Sequence, residues 1–184
     1  MSAGAAKALT SSRLQNHFEL FGLAPAFALD AGALERSYRD IQSQVHPDRF
    51  AHAGDAERRA SLQWTTRVNE AYRILKDPVQ RAKHILDLHG VDVAFETNTQ
   101  MPTDFLLQQL ELRQELESAV AKKDGSALDA LRRALANSKK LLERQIGEAI
   151  DSRNDHGGAA DLVRKLMFLD RLHAEIDAAY EEIE

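Results

Sequence analysis

Val45-His46-Pro47-Asp48-Arg49-Phe50 stands between two long amphipathic segments and shows how they are joined. A residue before proline is pushed out of the α region. Pro47 itself has a fixed φ and no N–H to donate. A helix arriving at Val45 therefore has to end there. Upstream, Asp30 is placed as an N-cap. Leu34, Tyr38, Ile41 and Val45 then recur at steps of four, three and four, which is one stripe of an amphipathic helix. Arg36, Arg39, Asp40 and Gln44 fall outside that stripe and are predicted to face water. Downstream, Ala51 to Gly54 read as loop, and Asp55 opens a helix that runs to about Lys76. Glu57 lies in its first turn, where the helix dipole favours an acid. Leu62, Thr65, Val68, Tyr72 and Leu75 make its predicted buried stripe, with Trp64 beside it and partly exposed. The turn is expected to close an antiparallel helix pair.

Short helices are predicted on either side. HFELFGL, residues 17–23, fits a turn or two of helix ended by Gly22 and Pro25. Asp77-Pro78 breaks the long helix, with Pro78 suited to the first turn of the next one, Val79 to Leu88, which ends at His89-Gly90. A tail over residues 1–13 and a small helical domain over 14–90 follow from this reading. Residues 91–101 (VDVAFETNTQM) are β-prone and polar and show no clear period, so they are read as a linker.

Pro102-Thr103-Asp104 is predicted to open a second domain, 102–184, with Thr103 or Asp104 as cap. Its first helix is expected from Asp104 to Lys122 and its second from Ala127 to Ser152, with Asp124-Gly125-Ser126 as the turn between them. The third runs from Ala159 to the end, after a loop Asn154-Asp155-His156-Gly157-Gly158. Leu128, Leu131, Leu135, Leu142, Ile146 and Ala149 line one face of the second helix. Leu162, Leu166, Leu169, Ile176, Tyr180 and Ile183 line one face of the third. Short turns between long helices make antiparallel neighbours, hence a three-helix bundle. The fold class is all-α.

Two places carry apolar residues beyond what a small bundle buries. Phe105, Leu112 and Leu116 share one face of the first bundle helix, while Leu106, Leu107 and Leu110 fall on another. Met167 and Phe168 lie off the stripe of the last helix. Surplus apolar residues on exposed faces suggest an interaction patch; the alternative is that they pack against the N-terminal domain or are scattered exposure that needs no explanation.

Composition narrows the chemistry. The chain has 184 residues, 43% hydrophobic and 29% charged, which is globular and not disordered composition. A net charge of −5 with no basic block disfavours a nucleic-acid partner. With no cysteine there is no disulfide, thiol nucleophile or Cys-ligated metal centre in this sequence. No apolar run approaches the ~20 residues of a membrane span, and the opening MSAGAAKALTSSRLQ does not read as a secretory signal. A cytoplasmic location is the expectation. His46 and Asp48 could be called an acid–base pair, but a hairpin tip has no cleft to exclude water, and no nucleophile elbow, phosphate loop or HExxH is present. His46 and His52 are a weak metal signal, the other histidines being dispersed. No metal, cofactor or catalytic residue is expected.

The HPD tripeptide between two amphipathic helices is followed by Asn69-Glu70-Ala71-Tyr72-x-x-Leu75-x-Asp77-Pro78, and together these resemble a J-domain. FELFGL, HPDRF, the run from Arg81 to Gly90, FLLQQLELRQEL from Phe105 and VRKLMFLDRL from Val163 resemble the HscB (Hsc20-type) J-domain co-chaperone family over residues 16–180. The resemblance implies that His46, Pro47 and Asp48, with Arg49 beside them, dock on a DnaK-like ATPase chaperone, HscA, and stimulate it. It also implies that the bundle binds the iron–sulfur scaffold IscU. The family's scaffold-binding surface matches Leu106, Leu107, Leu110, Glu111, Arg113 and Phe168, and it extends to position 114. Gln114 departs from the glutamate the family often has there, which removes a charge from the edge of the surface. The alternative is a general J-protein that delivers unfolded clients; no Gly/Phe-rich linker and no Cys-x-x-Cys repeats support it.

Overall fold

A computed structural model describes residues 16–50, 53–94 and 101–183, apart from the side chain of Glu182. The expected tail over 1–13, residues 51 and 52 of the expected loop, and positions 95–100 of the expected linker lie outside that set. Every regular element among the described residues is helical. The chain divides into two compact units, Met1–Ile85 and Leu86–Glu184.

The first unit begins with α1 (His17–Leu20), held by a capping box in which Asn16 Oδ1 accepts from the Glu19 amide at 2.9 Å and Glu19 Oε2 accepts from the Asn16 amide. Gly22 ends it at φ 66°, a left-handed position that glycine adopts without a Cβ penalty. α2 (Ala31–Val45) starts on Asp30, whose carboxylate accepts from the Gly32 and Ala33 amides at 2.8 and 3.0 Å. A 3-10 turn, Pro47–Phe50, leads toward α3 (Asp55–Lys76). α4 (Pro78–Leu88) follows at once, with Asp77 Oδ1 accepting from the Gln80 amide at 2.8 Å.

α2 and α3 pack as an antiparallel pair, and α1 lies on α3. Phe18, Phe21, Phe27, Leu34, Val68, Ala71, Leu75, Val79, Ala82 and Ile85 are buried. Trp64 is partly exposed, as its place beside the stripe predicts. One expected core position is wrong: Leu62 is 55% exposed, and Ser61 is buried in its place. The stripe of α3 runs through Ser61, Thr65, Val68, Tyr72 and Leu75. A small serine admits the close approach of α2 and finds a hydrogen-bond partner there, which hydropathy alone does not reveal.

The second unit is a three-helix bundle of α5 (Thr103–Ala121), α6 (Gly125–Gly147) and α7 (His156–Ile183), each packed on the other two. A single wide π-turn, Glu148–Ser152, extends α6 and buries Ala149 and Ile150. Phe105, Leu116, Ala119, Leu128, Leu131, Leu135, Leu169, Leu172, Ile176 and Ala179 form its core. Polar ties run along the seams: Arg113 with Glu175 at 3.1 Å, Lys139 with Asp170 at 2.5 Å, and the Tyr180 hydroxyl donating to Asp129 at 2.5 Å.

Helix starts differ from expectation in three places. Neither Thr103 nor Asp104 is the N-cap of α5; Pro102 occupies that position with no side-chain cap, and Asp104 sits in the first turn, where it still complements the dipole. α6 begins at Gly125, because Asp124 accepts from the Ala127 amide at 3.0 Å and draws the next two residues into the helix. His156, Gly157 and Gly158 are helical too, because Asp155 accepts from the Gly158 amide at 2.9 Å and so caps α7. The stripe of α7 keeps Leu166, Leu169 and Ile176, but Val163 and Leu172 also belong to it, and Leu162 is only half-buried.

Val91 to Ala94, the described start of the expected linker, pack within this unit. Val93 is buried, and its carbonyl accepts from Arg164 Nη1 at 2.8 Å. Arg164 is 8% exposed, and its Nη2 pairs with Asp161.

Candidate functional site

Side-chain contacts away from the turn join the two helices of the hairpin. Tyr38 and Tyr72 stack with ring centroids 4.1 Å apart, and the Tyr38 hydroxyl donates to Asn69 Oδ1 at 3.0 Å. The Tyr72 hydroxyl donates to Glu35 of α2. That hydroxyl, and then Arg39, holds the Glu35 carboxyl below its ordinary range, and the same bond raises Tyr72 above its own. Asn69, Ala71, Tyr72, Leu75 and Asp77 thus divide the work of joining α3 to α2 and starting α4.

His46 ends α2 in an extended conformation, φ −57° and ψ 131°, as the following proline requires. Its Nδ1 accepts from the Asp48 amide at 3.3 Å and lies 3.5 Å from Asp48 Oδ2. The Arg49 amide donates to His46 O at 3.0 Å, and Arg49 Nη1 donates to Ser43 O at 3.0 Å. Pro47 is half-buried, while the Asp48 side chain is 90% exposed. His46, Pro47, Asp48 and Arg49 are therefore brought together in one hydrogen-bonded polar turn. Asp48 points to water, and Arg49 is partly committed to the turn itself. No lysine or arginine among the described residues forms an ion pair with Asp48.

In the bundle, Leu106, Leu107 and Leu110 are exposed on α5, with Glu111 and Gln114 continuing the same face. Glu111 and Gln114 also border an open groove of about 690 Å³ between α5 and α6, floored by Leu112, Ala119 and Leu131. Arg113 stands at the edge of that face and forms a two-point pair with Glu175 of α7, at 3.2 and 3.1 Å. Phe168 does not lie on an exposed face as its sequence position suggests. It is half-buried, edge-on to Phe105 at 6.2 Å, and packs on the bundle core. Phe105 is itself buried on the core stripe, so a ring that meets it edge-on is drawn inward with it. The leucines thus form one surface, and Phe168 sits behind its margin.

Among the described residues no cluster of three or more metal-ligating side chains occurs. No helix among them is long and apolar enough to cross a membrane. Sequence reasoning put Thr65 on the buried stripe of α3 but missed Ser61, and missed that both hydroxyls donate to Val45 O, at 3.2 and 2.7 Å, behind the turn. Their one-turn spacing on the α2-facing side is the signal that was available.

Residues 101–177 match the family model of the HSCB C-terminal oligomerisation domain. The chain is 49% identical, over 92% of its own length and 96% of the other's, to a protein of Burkholderia vietnamiensis described as a co-chaperone protein HscB homolog. Among solved structures, chaperone HscB from Vibrio cholerae superposes with a TM-score of 0.81 at 34% identity, covering 92% of this chain and 100% of that one. Human co-chaperone HscB shares the fold, with a TM-score of 0.85 at 24% identity over 90% of this chain and 82% of that one. An HPD turn at the tip of a braced hairpin, joined to a C-terminal helical domain, is the build of a J-protein co-chaperone that works with an Hsp70-type chaperone. The chain belongs to the HscB co-chaperone family, the J-proteins of iron–sulfur cluster assembly.

Proposed function

We propose that this protein couples an IscU-type iron–sulfur scaffold to an HscA-type ATPase. The N-terminal unit would address the ATPase through His46, Pro47 and Asp48, with Arg49 bracing the turn. The bundle would hold the scaffold through Leu106, Leu107 and Leu110, with Glu111, Arg113 and Gln114 at the polar edge and Phe168 behind them.

The observation that carries this reading is the Asp48 carboxylate, 90% exposed at a hairpin tip, with the His46 ring 3.5 Å away. A carboxylate in that setting is suited to a two-point pairing with an arginine of a partner. So small a polar contact dissociates readily, which a cycling chaperone needs. The exposed leucines supply apolar anchors for a second, different contact.

The test is the ATPase rate of the purified HscA-type chaperone. Wild-type protein should raise it, and more so with the scaffold present. Asp48→Asn keeps the shape of the side chain and removes its charge. It should abolish the stimulation and leave the melting temperature unchanged. A variant that stimulates normally would overturn the assignment of the turn.

A further inference from the structure

How α2 ends determines where the HPD turn points, and two hydroxyls of α3 govern that ending. The last carbonyls of a helix have no donor within it. Pro47 sharpens the shortage, because it brings no N–H. Ser43 O and His46 O take the side chain and the amide of Arg49 instead. Val45 O is served from the other helix, by Ser61 Oγ at 2.7 Å and Thr65 Oγ1 at 3.2 Å.

Ser61 is 3% exposed, the one buried polar residue of the first unit among the described residues. A buried hydroxyl is costly unless it is bonded, and Val45 O is its bond. That carbonyl belongs to the peptide plane whose nitrogen is His46's. Holding the plane fixes the direction in which His46, Pro47 and Asp48 leave the helix.

We propose that Ser61 and Thr65 are positioning residues for the HPD turn. They reach no partner and act through Val45, so that His46 and Asp48 are presented in one orientation before the ATPase arrives. The inference rests on the reading of the turn as the ATPase-docking element. Without the two hydroxyls both helices persist, but the turn frays, and the partner has to order it on binding.

The experiment titrates the full-length protein into the HscA-type ATPase, comparing wild type, Thr65→Val, the double variant Ser61→Ala/Thr65→Val, and the variant Ser61→Ala/Thr65→Ser. Asp48→Asn runs alongside. The double variant should need roughly ten times more protein for half-maximal stimulation, the effect of two lost hydrogen bonds of ordinary strength, with the maximal rate kept. Amide exchange at Arg49, whose N–H closes the turn, should quicken in the double variant, and the variant that keeps a hydroxyl at position 65 should recover part of both losses. If the double variant does not fold, Thr65→Val alone, which keeps the Ser61 bond, should shift the half-maximal concentration about threefold. An unchanged half-maximal concentration, with or without faster exchange, overturns the positioning role while Asp48→Asn still abolishes stimulation. If Asp48→Asn stimulates normally, the docking role of the turn fails and this inference fails with it.

Discussion

Replacing Leu106, Leu107 and Leu110 together by alanine separates a binding surface from a structural one. The three side chains are 45, 55 and 54% exposed, so about half of each remains to be covered by a partner. Full burial of a leucine side chain stabilises by about 1.5–3 kcal/mol, which leaves each roughly 1 kcal/mol to contribute. Alanine keeps the Cβ, so the triple variant should lose about 2–3 kcal/mol of binding, or roughly thirty- to a hundred-and-fiftyfold in Kd. Calorimetric titration against a folded IscU-type scaffold reads this directly. Denaturant unfolding of the same variant should shift less than that of a core truncation, since the exposed halves add nothing to the fold and leucine and alanine are both strong helix formers. Phe168→Ala is the contrast. Its ring meets Phe105 edge-on and packs on the core, so its loss should cost about 2–4 kcal/mol of stability. The reasoning is refuted if the triple variant binds as tightly as wild type, or if it unfolds as early as Phe168→Ala.

Other perturbations test the scaffold beneath these surfaces. The Tyr72 hydroxyl lowers the Glu35 carboxyl, so the folded state favours the carboxylate. That contribution is complete above the ordinary glutamate value of about 4.3 and is lost as pH falls through the lowered folded value. Tyr72→Phe should therefore flatten the acid limb of stability below the ordinary glutamate value, read as urea midpoints at a series of pH values; an identical limb would contradict the bond. Asp155→Ala removes the cap of α7 and should cost about 1 kcal/mol in the same assay, whereas a residue in a plain loop would cost almost nothing. Leu172→Ala should cost about 2–5 kcal/mol, and Leu162→Ala clearly less, if the stripe of α7 runs where the structure puts it.

Much of this architecture is written in periodicity and punctuation. The stripe Leu34-Tyr38-Ile41-Val45, the break at Asp77-Pro78 and the surplus leucines of α5 follow from spacing, since side-chain direction on a helix repeats every 3.6 residues. Readings failed where a polar side chain bonds to backbone. Ser61 looks like the wrong face because hydropathy sees a serine beside a leucine. Its value lies in a carbonyl sixteen residues earlier in the chain. Gly157-Gly158 reads as loop until Asp155 is seen to cap them. Phe168 looks surplus on a helical wheel, which does not show that the buried Phe105 ring draws it in. The HPD turn itself was legible, while the hydroxyls that aim it were not, because their acceptor carries no side-chain signature.

Arg164 bears on how the chain can be dissected. Its guanidinium cannot shed its proton, and inside the second unit one arm of it rests on the carbonyl of Val93. A fragment cut at the first bundle helix would delete that acceptor and leave a charged group, 8% exposed in the intact chain, to find water. The three helices are therefore not a portable cassette that begins where α5 begins. A transplant or truncation that starts at Leu86 carries its own latch; one that starts at residue 101 does not, and its poor behaviour would report a missing carbonyl and not a failed interface.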